Sequence, residues 1–207
     1  MNPLNTVKAT LAAGVIVAII IAFAIKSGLP ATGFSIVNEL ALARWLHIVS
    51  GVMWIGLLYY FNAVQIPGLA DAAADKGGPG GAGISKYIAP RALLWFRWAA
   101  VLTWLTGVLY LVRNGSIVGA FTLGLLNAEP NSYQTIIGVG AWLGTIMLFN
   151  VWVLIWPNQK KVLGLAPATD EEKNKARNIA KYASRTNFML SIPMLMCMGG
   201  ASHGLPF

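Results

Sequence analysis

The sequence predicts an all-α protein: a polytopic membrane helix bundle of about five transmembrane helices, with its N-terminus inside and its C-terminus periplasmic. Three observations lead there. Hydrophobic side chains make up 57% of the 207 residues and charged ones only 11%, less than half the roughly 25% usual in soluble domains. Mean hydropathy is +0.64. The apolar residues also fall in blocks that approach the roughly 20 needed to cross a bilayer, without the alternation of a barrel strand. Lipid offers no partner to a backbone N–H, so each block must satisfy its own within a helix.

The elements follow in order. The first run, near 9–25, has a single early Lys8 and no small-residue cleavage site before Lys26, so it reads as a retained anchor and not a signal peptide. Leu29-Pro30-Ala31-Thr32-Gly33 has the letters of a sortase signal but stands far from the C-terminus, which leaves it an outer turn. Four further spans are expected near 42–62, 92–112, 134–156 and 187–204, joined by cytoplasmic loops at 63–91 and 157–186. Gly77-Gly78-Pro79-Gly80-Gly81-Ala82-Gly83 is a flexible connection, and no Gly-Lys-Ser/Thr follows to make it a phosphate loop. Residues 116–127 are apolar but too short to span and read as interfacial. Thr169 with Glu172 three positions later spells a capping box, which predicts a short cytoplasmic surface helix over 169–184 lying on lipid headgroups. With no internal repeat and no soluble stretch, residues 1–207 form a single integral membrane domain.

Orientation comes from the basic residues. With the N-terminus inside, Lys8, Lys76, Lys86, Arg91, Arg97, Lys160, Lys161, Lys173, Lys175, Arg177, Lys181 and Arg185 are cytoplasmic, and only Lys26, Arg44 and Arg113 of the fifteen fall outside. This is the pattern of a multi-pass protein of the bacterial inner membrane. The formal charge of +8 is spread over span ends and lacks the dense patch that nucleic acid requires, so membrane lipid is the expected partner and nucleic acid is not.

The chemistry available is narrow. One cysteine, Cys197, excludes an intrachain disulfide, a zinc ribbon and the Cys-x-x-Cys-His attachment of a covalent c-type haem. Both histidines, His47 and His203, fall toward the outer face, His47 about 8 Å deep at 1.5 Å per residue. Ionisable groups within membranes are costly and usually functional, and neutral imidazole ligates haem iron and metal ions. His47 and His203 are therefore the expected cofactor-binding and metal-ligating residues. Ser50, Gly51 and Trp54 share the His47 face and leave room beside the ring for something flat. The plainer alternative is a histidine that bonds a carbonyl of another helix, with Gly51 only permitting close packing. Asn62 and Asn150 are buried amides that could touch a polar substrate or simply link helices, and Gln65 and Arg97 belong with them. No Ser-His-Asp set can form, because Asp71, Asp75 and Asp170 lie on the inner side.

These residues resemble a known family. Leu46-His47-Ile48-Val49-Ser50-Gly51-Val52-Met53-Trp54-Ile55-Gly56-Leu57-Leu58-Tyr59-Tyr60-Phe61-Asn62, followed by Gln65 and Pro67, is similar to the membrane domain of membrane urate oxidases, the urate oxidase N-terminal family. Phe149-Asn150-Val151-Trp152 through Lys161, and Ser184-Arg185-Thr186-Asn187 through Pro193, resemble its later segments. The resemblance implies an inner-membrane protein that oxidises urate to 5-hydroxyisourate and passes electrons to a cytochrome c domain at its C-terminus. This chain ends at Phe207 without Cys-x-x-Cys-His, so that reading expects a separate cytochrome c or other redox protein as acceptor. A more distant similarity to membrane proteins of copper-resistance and protoporphyrinogen-oxidase type implies a haem b at His47. Arg44 would then offset the charge of monoanionic urate, with Trp54 or Trp45 stacked on the purine. The competing expectation is a non-catalytic or haem-carrying membrane subunit of a larger respiratory or oxidase complex.

Overall fold

The computed structural model describes residues 2–27, 37–127, 129 and 131–206. The turn expected at 29–33 lies outside them. Among the described residues every regular element is helical and there is no strand. The chain divides into two units, residues 1–38 and 39–207.

The first unit carries α1, Val7–Ser27. The Thr6 hydroxyl accepts the Ala9 N–H at 3.2 Å, satisfying one donor of the first turn. None of the helix's described side chains is buried within the unit, and its apolar residues run all round it. Such a helix suits lipid on every side.

In the second unit, α2 (Glu39–Tyr60), α4 (Ala89–Arg113), α6 (Ser132–Phe149) and α8 (Asp170–His203) form the bundle. Among the described residues four helical stretches are long and apolar enough to cross a membrane: Val7–Ile25, Glu39–Ala74, Ile84–Arg113 and Ser132–Val162. Residues 187–204, expected as the fifth span, form the C-terminal half of α8 and are not among those four. The core is built from Trp54, Leu58, Phe61, Phe96, Met147 and Val151, with the Phe61 and Phe96 rings edge-on at 5.4 Å. Arg113 pairs with Glu39 at 3.1 Å, tying the end of α4 to the start of α2. α6 approaches α8 through Gly140, where an added methyl would meet Cys197 and Met198 at 3.2 Å.

Three helical stretches widen into π-turns, at Phe61–Gln65, Ile84–Ile88 and Asn150–Ile155. One cause explains all three. Each closes with an i→i−5 bond: Ile66 N–H to Phe61 O, Ala89 N–H to Ile84 O and Trp156 N–H to Val151 O. Each of those donors immediately precedes a proline, Pro67, Pro90 or Pro157. Proline has no N–H for the next bond and crowds the carbonyl four residues back, so one residue is let out and the helix runs on. Consequently the loops expected at 63–91 and 157–186 are shorter than the sequence suggests. The first continues as α3 (Ile66–Ala74) and resumes as helix by Ile84, and the second opens with α7 (Trp156–Val162).

Residues 116–127 contain only a five-residue helix, α5 (Ile117–Phe121), and turns, as an interfacial segment would. Gly138 of α6 lies against the Ala120 carbonyl so closely that a methyl there would clash with backbone. The helix expected over 169–184 is not short: it is the first half of the 34-residue α8. Its capping box is present, with Thr169 Oγ1 accepting Glu172 N–H at 3.2 Å and Glu172 Oε2 accepting Thr169 N–H at 2.8 Å. Charged and apolar halves obey the same helical period, so nothing between them stops the helix.

Candidate functional site: a histidine at α4 and an asparagine ladder on α8

His47 of α2 is partly buried, with Nδ1 2.7 Å from the backbone oxygen of Thr103 in α4. A carbonyl can only accept, so Nδ1 carries the proton. Nε2 is left with its lone pair and makes no hydrogen bond among the described residues. The ring fits because position 107 is glycine: a Cβ there would stand 2.9 Å from His47 Cε1 and 3.0 Å from Nδ1. Gly51 likewise faces Thr103, with 3.7 Å from an added Cβ to the threonine methyl. Thr103 directs its own hydroxyl to Ala99 O at 2.7 Å, and Ser50 directs its hydroxyl to Leu46 O at 2.7 Å, so neither competes for the ring. This arrangement contains the plainer reading, a histidine bonded to a neighbouring carbonyl. It also meets what a metal-bound imidazole needs, one nitrogen fixed by an outer acceptor and the other free.

The other expected residues are placed as follows. Arg44, one turn before His47, is exposed. Trp54 is 2% exposed, and its indole N–H has no partner among the described residues. His203 is exposed at the end of α8, and no hydrogen bond joins it to His47. Among the described residues no three His, Cys, Asp or Glu side chains gather as a metal cage.

Asn62 and Asn150 belong to a second polar group further along the bundle. Each sits in a π-turn, and each bonds to α8. Asn62 Nδ2 donates to Ser184 Oγ at 3.0 Å and to Leu58 O at 2.9 Å. Asn150 Nδ2 donates to Asn187 Oδ1 at 2.8 Å, and Asn187 Nδ2 continues to Met147 O at 2.9 Å. Ser191, one turn on, bonds Tyr59 Oη at 3.2 Å. Ser184, Asn187 and Ser191 thus form a ladder on one face of α8. The side-chain oxygens of Asn62 and Gln65 remain buried without donors. Sequence reasoning missed Asn187 as a residue of this network. Its signal was the spacing of 184, 187 and 191 in an otherwise apolar helix face. Thr103 and Gly107 gave none, since a backbone oxygen carries no residue signature.

Arg97 stacks on the Trp156 ring at 3.9 Å. An open cavity of about 600 Å³ lies between the Asn150 turn and the outer face of the first half of α8. Asn150 lines it from within and Lys175, Asn178, Tyr182 and Thr186 from α8.

No curated protein and no solved structure matches the chain. The match that exists lies at the C-terminal end and includes α6, the Asn150 turn, α7 and all of α8, with Asn150, Asn187 and His203 inside it and His47, Arg44, Trp54 and Asn62 outside. There, over residues 125–207, the chain matches the model of the family described as urate oxidase N-terminal, the family that its sequence resembles.

Proposed function

We propose that the chain is a membrane-bound redox protein of the urate oxidase type. It oxidises urate to 5-hydroxyisourate and passes the electrons to a separate cytochrome c or other acceptor in the bacterial inner membrane. The half-reaction balances as urate plus water giving 5-hydroxyisourate, two protons and two electrons, so an acceptor is required. The observation that carries this reading is the His47 ring, protonated at Nδ1 by its bond to Thr103 O and free at Nε2.

One imidazole with glycines beside it would suit a flat haem b better than a bare metal ion, which needs several protein ligands gathered together. When bound, such a group would accept electrons singly and relay them. His47 would hold it through Nε2, with His203 the expected second ligand. The Thr103 carbonyl would keep the imidazole in one tautomer and raise its basicity. Arg44, exposed one turn away, would draw the urate monoanion, and the neighbouring Trp45, 38% exposed, would supply the aromatic face that the core-buried Trp54 does not.

The test is acceptor reduction by the purified protein. Urate should reduce added cytochrome c or a quinone analogue, and His47→Ala should lower the rate by about 100-fold or more, at least the loss known for residues that merely orient a ligand. Wild-type protein that reduces no acceptor with urate contradicts the reading. A second reading, a non-catalytic or haem-carrying subunit, draws on the family match beginning only at residue 125, which leaves His47 outside it. Copurification of redox subunits without urate turnover would favour it.

A further inference from the structure

We infer that the cavity beside the first half of α8 is a binding site for the phosphoryl headgroup of an anionic amphiphile. This does not depend on the redox reading. Its lining has the two characters such a ligand needs. Lys175, Asn178, Tyr182 and Thr186 recur at helical spacing along one face of α8 and present one cation and several hydrogen-bond donors. Lys175 has no carboxylate partner among the described residues, whereas Lys173 nearby is engaged by Asp170 at 3.3 Å. Asn150, only 8% exposed, reaches the cavity from the π-turn, and its side-chain amide donates to Asn187.

Leu154, Ile179 and Ala183 supply an apolar wall. A volume of about 600 Å³ far exceeds a bare oxyanion, given that a water molecule occupies about 30 Å³. The apolar wall gives an occupant room for an apolar body beside its charge. The cavity also lies where α8 passes from its charged half to its apolar half, the level of a lipid headgroup. An anionic glycerophospholipid fits these features, with its phosphate toward Lys175 and its chain along Leu154 and Ile179.

Native mass spectrometry of the full chain in detergent tests this, with phosphatidylglycerol and phosphatidylcholine of equal chain length offered together. Phosphatidylglycerol should be retained at least about fivefold better, the effect of one lysine near a lipid surface. Lys175→Gln should remove that preference while Lys173→Gln, on the same helix but outside the cavity and paired with Asp170, leaves it intact. Ile179→Trp keeps every charge and fills the space, and it should weaken retention as well. Excess glycerol 1-phosphate separates the sources: displacement of the lipid points to a soluble phosphate ester, and no displacement to the membrane lipid. Equal retention of the two lipids, equal loss in the two lysine variants, or wild-type retention by Ile179→Trp would each overturn the assignment.

Discussion

His47 and Asn187 are two side chains whose hydrogen bonds reach a neighbouring helical segment. His47 stood out in the sequence because only two histidines exist and one falls inside an apolar run. Its environment did not, because it depends on how α4 lies against α2. Gly107→Ala tests that environment: the new methyl would stand about 3 Å from the ring, so the imidazole or the helix must move. We expect a loss of about 1–3 kcal/mol in stability, typical of overpacking, together with a changed response of any group held by His47. Asn187 is the corresponding residue on α8, 0% exposed and bonded to both Asn150 and Met147 O. Asn187→Ala leaves the buried Asn150 amide without its acceptor and should cost about 1–3 kcal/mol in thermal denaturation of the solubilised protein. Asn174→Ala, on the exposed start of α8, should change stability by no more than about 0.5 kcal/mol.

At the scale of elements, four of the five expected spans were legible as long apolar helices among the described residues, and helix ends were not. Prolines 67, 90 and 157 were visible in the sequence as places where a helix is disturbed. Whether the helix stops or admits a π-turn depends on the packing beyond, and here α3, the start of α4 and α7 carry on. The capping box was legible because it is local. Thr169→Ala should cost about 1 kcal/mol of helix-end stability and increase amide exchange at residues 170–173. The same cap gives a pH dependence. The Thr169 N–H and then Lys161 hold the Glu172 carboxyl below its ordinary range. Because the folded state favours the ionised form, the contribution is complete above the unfolded pKa near 4.3 and fades as pH falls through the lower folded value. Protection factors of the amides at the start of α8, which correct for the slower intrinsic exchange in acid, should fall on acidification below about pH 4 in the wild type, and Glu172→Gln should remove that dependence.

For the whole molecule, hydropathy sufficed to identify an all-helical membrane bundle, since the bilayer leaves the backbone little choice. What composition could not give was the relation between helices. The α8 ladder, the His47–Thr103 bond and the headgroup cavity all arise from contacts between residues far apart in sequence. Orientation is the prediction that belongs to this scale. In a Cys197→Ala background, a cysteine at Ser202 should react with an impermeant maleimide from outside intact cells, and one at Asn174 should not. A helix of 34 residues, about 50 Å long at 1.5 Å each, is long enough to separate the two. The reverse labelling pattern would invert the bundle and put His47 on the cytoplasmic side.

The central claim is that His47 holds a redox group through its free nitrogen. The direct measurement is the dithionite-reduced minus oxidised absorption spectrum of the purified protein beside its His47→Ala variant. The account predicts a reduced haem b band in the wild type that is lost from the variant. A featureless wild-type spectrum with no metal by elemental analysis, or a band unchanged in His47→Ala, would contradict it.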